Sequence, residues 1–295
     1  MSGFRRILVC WAGATSNAGL LPYARALAAL NPAPELAYVN VMCESSPLAQ
    51  QGSTPPAAAA KASASAADDQ LQRLEELRQA IERDAYTGRG TRCCVRLGEP
   101  LDQILLYATE LQADAILLGH DPRRRGRRSL ARRLAAAAPC AVWMAPNGAA
   151  PGIRRVLAAF DCSDSAAEAV RVAALVAGSA GLEELHLLHV CREKSPSAAN
   201  DPQPFLSKLD LGPLAARLII EQDEVAGRAI VRTAAKLKAD LVVVGARGQN
   251  PSAAVLLGSE TEQALRESTV PVLVVKAQAS AALSFNALWS DRAYV

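Results

Sequence analysis

The chain has 295 residues and a net charge of +3; 51% of its residues are hydrophobic, but only 4% are aromatic. This length is sufficient for two ordinary domains, whose cores must be built from small aliphatic side chains. No apolar run approaches the ~20 residues of a membrane span, and Met1–Arg6 leads into an apolar run without a signal-peptide pattern, so we expect a cytoplasmic protein that does not enter a membrane. The seven cysteines show no C-x2-C spacing, which argues against a disulfide framework and against a zinc site.

The first half of the chain alternates apolar runs of strand length with amphipathic segments. It predicts strands near 5–11, 35–42, 91–97, 114–119 and 140–145. It predicts helices near 17–30, 66–84, 100–111 and 129–137. Residues 45–67 are rich in Ala, Pro and Ser, and we expect them to form a flexible loop. Turn formers at 147–152 indicate a linker.

The second half has the same alternation with a shorter middle segment. It predicts strands near 154–160, 184–190, 215–221, 240–245 and 271–275. It predicts helices near 164–178, 224–238 and 259–268, with Asp164 as the N-cap of the first of these. A tail containing several aromatic residues follows the last strand.

The two halves repeat one pattern. Arg6–Ala12 matches Arg155–Asp161, and Ala113–Gly119 matches Ala239–Gly245. Continuous apolar strands that alternate with helices are typical of parallel sheets covered on both faces. We therefore expect an α/β protein with two tandem open-sheet domains, each a five-stranded, mostly parallel sheet with helices on both faces. The expected domains are residues 1–147 and 152–277, followed by the tail 278–295.

A glycine motif stands between the apolar run 241–244 and a helix-like stretch at 260–266. Its spacing is Gly245-x2-Gly248-x9-Gly258-Ser259. A strand that ends in a glycine-rich loop followed by a helix directs free backbone N–H groups and a positive helix end at one place. The motif therefore predicts a site for a nucleotide phosphate, although the chain lacks the Walker pattern G-x4-G-K-[ST].

Together with three other segments, this motif resembles the universal stress protein family, in its ATP-binding type. The other segments are Phe160–Ser163, Leu188–Val190 and Ser268–Lys276. Because the resemblance covers both halves, the chain looks like a tandem universal stress protein.

The resemblance implies a role for each matching residue of the second half. Asp161 would lie beside the ribose and adenine, and the backbone of Val190 would face the adenine edge. Gly245, Gly248, Gly258 and Ser259 would surround the phosphates. The ligand would be ATP, ADP or AMP.

The resemblance also implies an arrangement of strands. Each domain would have the order 3-2-1-4-5, which brings strands 1 and 4 together. Dimers of the family pair their fifth strands, so we expect residues 140–145 to pair with 272–276 as an intramolecular pseudo-dimer, in which two exposed sheet edges are hidden. A homodimer of chains is a further expected assembly.

Glu260 departs from the family pattern, which has a small apolar residue after the serine. A carboxylate in the first turn of a helix favours the helix dipole, and this is the simpler interpretation. Alternatively, Glu260 competes with the phosphate unless Mg²⁺ or Mn²⁺ bridges the two.

The first half is degenerate by the same comparison. Ala12 stands where the second half has Asp161, and the segment Asp121–Gly126 replaces the glycine motif. We expect the first domain to bind no nucleotide and to serve as a built-in partner.

Seven arginines lie between Arg123 and Arg133, and removing them from the net charge of +3 leaves −4. This run is interpreted as a solvated loop or as a surface for an acidic partner. No aromatic residues interleave with it, so we do not expect nucleic-acid binding.

We predict a stress-response protein whose second domain binds ATP and which acts as a regulatory or assembly module. The alternatives are a slow ATPase or phosphotransferase and an adaptor that does not use nucleotide. Phosphoryl transfer needs a positioned nucleophile, and the sequence offers no clear general base, so no catalytic residue is predicted.

Overall fold

The fold is that of a computed structural model of the chain. The structure describes residues 4–12, 19–43, 68, 71–80, 83, 91–121, 129–191, 201–247 and 257–276. The loop 45–67, the arginines at 123–128, Gly248 and the tail 278–295 lie outside the described residues.

The helices and strands of both halves agree closely with the sequence prediction. The first half contains β1 (Arg6–Cys10), α1 (Leu20–Ala28), β2 (Glu35–Met42), α2 (71–80), β3 (Arg92–Leu97), α3 (Pro100–Leu111), β4 (Ala115–His120), α4 (Leu130–Ala137) and β5 (Ala141–Pro146). The second half contains β6 (Val156–Phe160), α5 (Asp164–Ser179), β7 (Glu184–Cys191), α6 (Gln203–Leu206), β8 (Ala215–Gln222), α7 (Ala226–Leu237), β9 (Leu241–Gly245), α8 (Ser259–Glu267) and β10 (Val272–Val275). No helix in these described ranges is long and apolar enough to cross a membrane.

The strands form one ten-stranded sheet in the order β3-β2-β1-β4-β5-β10-β9-β6-β7-β8. All neighbouring strands within each half are parallel, so each half has the order 3-2-1-4-5. Strands β5 and β10 join the halves in antiparallel pairing, with Trp143 opposite Leu273 and Met144 opposite Val272. The predicted fold class is confirmed, and the two sheets continue as one through their fifth strands.

Two hydrophobic layers cover the sheet, one on each face. Successive residues of a strand alternate between them, so Leu117 and Val243 lie in one layer whereas Leu118 and Val244 lie in the other. Each layer contains residues from both halves, and the core therefore runs without interruption across the junction. Trp143 is fully buried in the middle of the sheet, and its Nε1 donates a hydrogen bond of 3.1 Å to the hydroxyl of Tyr23.

An aspartate fixes the start of the first strand of each half in the same way. Oδ2 of Asp114 accepts hydrogen bonds from the backbone N–H of Arg5 at 2.7 Å and of Arg6 at 2.9 Å. Oδ2 of Asp240 accepts from the backbone N–H of Arg154 at 3.0 Å. The internal repeat of the sequence is therefore a repeat of hydrogen bonds, and not only of apolar residues.

The prediction that Asp164 caps helix α5 was wrong. Ser163 is the N-cap, and its Oγ accepts a hydrogen bond of 3.1 Å from the backbone N–H of Ala166. Asp164 is the first residue of the helix, where its exposed carboxylate lies in the favourable field of the helix N-terminus.

Polar side chains also join the halves beside the strand junction. Lys276 follows β10, and its Nζ donates to the carbonyls of Ala136 at 2.8 Å and Ala138 at 2.5 Å. These carbonyls end helix α4, so a cation from the second half caps a helix of the first. Arg132 of α4 forms an ion pair of 2.6 Å with Glu262 of α8.

Helix α7 packs closely against α8 at Gly227. A Cβ at this position would lie 2.7 Å from Cβ of Gln263 and 2.8 Å from the carbonyl oxygen of Glu260. We expect Gly227→Ala to lower the free energy of unfolding by about 1–3 kcal/mol because the two helices would have to separate. Gly178 of α5 is the matched control: outside the adjacent backbone of its own helix, no described atom lies within 4 Å of the place that its added methyl group would take. Gly178→Ala should stabilise by about 0.4–1 kcal/mol. Urea unfolding measures both, and a neutral Gly227→Ala would contradict this packing.

His120 links β4 to α8 in a way that should depend on pH. Its Nε2 lies 2.9 Å from the carbonyl oxygen of Leu265, which can only accept, so Nε2 carries the proton. Burial is the main cause that lowers the pKa of His120 below its usual 6.5; Arg132 acts in the same direction, while the bond to Leu265 and the charge of Asp121 oppose it.

Because the folded-state pKa is lowered, the unfolded chain binds more protons. The stability that neutral His120 contributes is complete above the unfolded pKa of about 6.5 and is lost as the pH falls below it. We expect His120→Gln, which keeps a donor for Leu265, to lose less unfolding free energy than the wild type between about pH 7.5 and about pH 5.5. Urea unfolding at both pH values tests this, and equal losses in the two proteins would contradict it.

Candidate functional site

Three of the predicted site residues lie where neighbouring parallel strands end, along the carboxyl-terminal edge of the sheet. Asp161 directly follows β6, Val190 is near the end of β7, and Gly245 ends β9. Strand β6 pairs in parallel with both β7 and β9, so the carboxyl ends of the three strands are neighbours. This edge is where open parallel sheets bind their ligands.

Gly245 allows the first turn of α5 to approach the end of β9. A Cβ at Gly245 would lie 2.8 Å from Oγ of Ser165 and 3.0 Å from its carbonyl oxygen. The backbone N of Arg247 lies 3.5 Å from the same Oγ. Helix packing is therefore a sufficient reason for this glycine, in addition to the phosphate contact that the sequence motif predicted.

Helix α8 is anchored to the same strand end by its first turn. The hydroxyl of Thr261 donates to the carbonyl of Gly245 at 2.8 Å, and the backbone N–H of Gly258 donates to the carbonyl of Ala246 at 3.0 Å. Ala246 in turn donates to Val275 at 2.7 Å. The role of Thr261 was not predicted, because nothing in the sequence indicates a contact with Gly245, 16 positions away.

The N-termini of α5 and α8 therefore converge on the carboxyl end of β9. Each N-terminus presents backbone N–H groups and a partial positive charge, which together favour an anion. Both first turns also carry carboxylates: Asp164 in α5, and Glu260 with Glu262 in α8. Glu262 is paired with Arg132 at 2.6 Å, which reduces its effect.

Asp161 is held in a tight corner between β6 and α5. Its Oδ1 accepts a hydrogen bond of 3.1 Å from the backbone N–H of Ser163. The intervening residue, Cys162, has a φ of 63°, in the left-handed region that non-glycine residues rarely adopt. Such strained corners concentrate at functional sites, and this one fixes the position of the Asp161 carboxylate.

The ends of β6 and β7 are joined by a buried histidine. Nδ1 of His189 lies 3.2 Å from the carbonyl oxygen of Phe160, so it donates to that oxygen. The ring of Phe160 stacks on Phe205 of α6, with 5.4 Å between centroids. These contacts keep Asp161 and Val190 side by side and assign His189 to the framework of the site.

Cys162 and Cys191 are free thiols beside Asp161. Burial, followed by the charges of Asp161, Cys191 and Asp201, raises the pKa of Cys162 above its ordinary value. Cys162 is therefore a neutral thiol at physiological pH, without the thiolate character of a reactive cysteine.

Ser259 and Glu260 interact with each other at the start of α8. The hydroxyl of Ser259 donates a hydrogen bond of 2.6 Å to Oε2 of Glu260. The carboxylate thus occupies the hydroxyl that the family resemblance assigns to phosphate.

Six of the seven predicted site residues lie in the described part of the chain, and all six lie around the ends of β6, β7 and β9. Within the described part of the chain, no cluster of three or more His, Cys, Asp or Glu side chains could hold a metal ion.

Known proteins resemble this chain in fold, and a family model matches both halves of its sequence. The model of the universal stress protein family matches residues 3–146 and again residues 152–276. A comparison with curated protein sequences finds no match.

Solved structures resemble the chain over nearly its full length. A universal stress protein from Archaeoglobus fulgidus is 19% identical, with a TM-score of 0.64 over 93% of this chain and 97% of its own. A protein of unknown function from Pseudomonas aeruginosa is 21% identical, with a TM-score of 0.61 over 97% of both chains. These likenesses show a shared fold. With two matches of the family model that together span most of its length, the chain belongs to the universal stress protein family and carries two copies of the domain in tandem.

Proposed function

We propose that this protein is a cytoplasmic stress-response module that binds an adenine nucleotide, ATP above all, in its second half, residues 152–277. Asp161 contacts the ribose and adenine, the backbone of Val190 faces the adenine edge, and Gly245, Gly248, Gly258 and Ser259 surround the phosphates. Occupancy of the site regulates assembly or partner binding. The first half, residues 1–147, does not bind nucleotide.

One observation supports this proposal above the others: the N-termini of α5 and α8 converge beside Asp161 at the end of β9. Thr261 and Gly258 anchor α8 there, and the close approach at Gly245 anchors α5. Two helix N-termini attract the negative phosphates, while a neighbouring carboxylate can accept hydrogen bonds from ribose hydroxyls. The arrangement provides for both parts of a nucleotide.

The first half acts as a permanent partner of the second in this proposal. Antiparallel β5–β10 pairing removes two sheet edges that a single domain would leave exposed. We propose that this junction is an intramolecular pseudo-dimer that replaces a contact between separate chains.

Asp161→Ala should weaken ATP binding by roughly tenfold to a hundredfold, because charge-assisted hydrogen bonds to the ribose contribute about 1.5–3 kcal/mol. Isothermal titration calorimetry with the full chain measures this. Glu267→Gln is the matched control, since it removes a carboxylate from the opposite end of α8, where Glu267 pairs with Arg266.

The control should bind ATP as the wild type does. If ATP fails to bind the wild type, or binds Asp161→Ala with unchanged affinity while both proteins keep the same melting temperature, the proposed site is wrong.

Glu260 should make ATP binding depend on divalent cations. Its carboxylate accepts from Ser259 at the helix start, where a phosphate would meet it. Without metal, Glu260→Gln should bind ATP more tightly than the wild type by roughly 1 kcal/mol, about fivefold, because one repulsion is removed. With Mg²⁺ or Mn²⁺ present, a bridging cation should abolish this difference.

The measurement is again calorimetry, performed in excess chelator and in excess Mg²⁺. If the two proteins have equal ATP affinities under both conditions, Glu260 only stabilises the N-terminus of α8, and its loss should then appear as a lower melting temperature.

A further inference from the structure

A cavity of about 540 Å³ lies in the first half, at the carboxyl ends of β1, β2 and β4. Its walls are mostly apolar, and they include Trp11, Val39, Ile104, Leu118 and Leu130. Helices α3 and α4 contribute one side and the strand ends the other. This size and lining are typical of sites for small organic ligands.

The cavity occupies the place in the first half that corresponds to the proposed nucleotide site. The strand registers and the internal repeat align Ala12 with Asp161, Val41 with Val190 and Gly119 with Gly245, and all three first-half residues line the cavity.

The frameworks around the two places also correspond. Nδ2 of Asn40 donates to the carbonyl of Trp11 at 2.7 Å, just as His189 donates to Phe160 in the second half. The first half has therefore lost the nucleotide motif but has kept the space that the motif surrounds.

The charges at this place differ from those of the second half. Ala12 provides no carboxylate for a ribose, and Asp121 stands where the second half has Arg247. A carboxylate at this position repels phosphate. Burial strongly raises the pKa of the Cys10 thiol and lowers that of His120, so both side chains are neutral at physiological pH.

One polar atom in the wall has no partner in the part of the chain that the structure describes. Oγ of Ser129 is buried, and it has no hydrogen-bond partner among the described residues. Ser129 precedes α4, yet its side chain does not cap the helix. Buried hydroxyls are nearly always hydrogen-bonded, so this one is an unused contact for a bound molecule.

We propose that this cavity is a second ligand site, which takes an uncharged, largely apolar small molecule with a hydrogen-bonding atom directed at Ser129. The apolar walls exclude water from the body of the ligand. The absence of an acid at position 12 and the presence of Asp121 exclude nucleotides. The chain then has two different ligands in two copies of one domain.

The neutral dye N-phenyl-1-naphthylamine, whose fluorescence rises in apolar surroundings, serves as the probe with the full chain. The wild type should bind one dye molecule saturably, and excess ATP should not displace it. Ala12 lines the cavity and is exposed, so the larger side chain of Ala12→Phe can fill the cavity without entering the hydrophobic core. This variant should weaken dye binding by at least about tenfold. Ala12→Asp, a smaller change, places a charge at the wall and should also weaken it.

Asp161→Ala is the matched control in the second half, and it should leave dye binding unchanged. Melting temperatures verify the folding of each variant, and if Ala12→Phe is unstable, Ala12→Asp decides. The proposal is overturned if the wild type shows no saturable binding, if the folded Ala12 variants bind the dye as tightly as the wild type, or if ATP displaces it.

Discussion

The carboxyl end of β9 is the point on which the geometry of the second half depends. Only a residue without a Cβ permits the first turn of α5 to reach Gly245, and the carbonyl of that same residue accepts the hydroxyl of Thr261 from α8. A single residue thus fixes two helix N-termini relative to one strand. The anion-binding capacity that we propose for the site rests on this packing, because the N–H groups of both helices are directed by the positions of the helices themselves.

The junction between β5 and β10 gives the molecule its continuous architecture. Antiparallel pairing there extends two parallel sheets into one and lets both hydrophobic layers run through. Around the junction, the side chain of Lys276 caps the C-terminus of helix α4. Arg132 of α4 pairs with Glu262, so α4 of the first half and α8 of the second are held together. The cavity and the proposed nucleotide site are therefore parts of one framework.

The sequence predicted the fold well because the signals were local and repeated. Apolar runs determined the strands, and the repeated Ala-Asp before β4 and β9 has the same hydrogen-bonding role in both halves. The N-cap of helix α5 was misplaced by one residue, since Ser163 and Asp164 are both good N-caps and only side-chain geometry distinguishes them.

The structural reasons for two glycines and one threonine could not be predicted from the sequence. Gly227 and Gly245 are required because residues distant in the chain approach them closely. Thr261 acts through a hydrogen bond to the carbonyl of Gly245, 16 positions before it in the chain. The loss of the nucleotide motif in the first half was visible in the sequence. The retained cavity was not, because an empty volume depends on how the surrounding side chains pack.

A crystal structure of the full chain grown with saturating ATP tests most directly whether adenine nucleotide occupies the end of β9 in the second half. We expect phosphate density at the start of α8, ribose density beside Asp161, and no nucleotide in the first-half cavity. Nucleotide density in that cavity, or a second-half site that contains only the protein's own side chains, would contradict the proposed function.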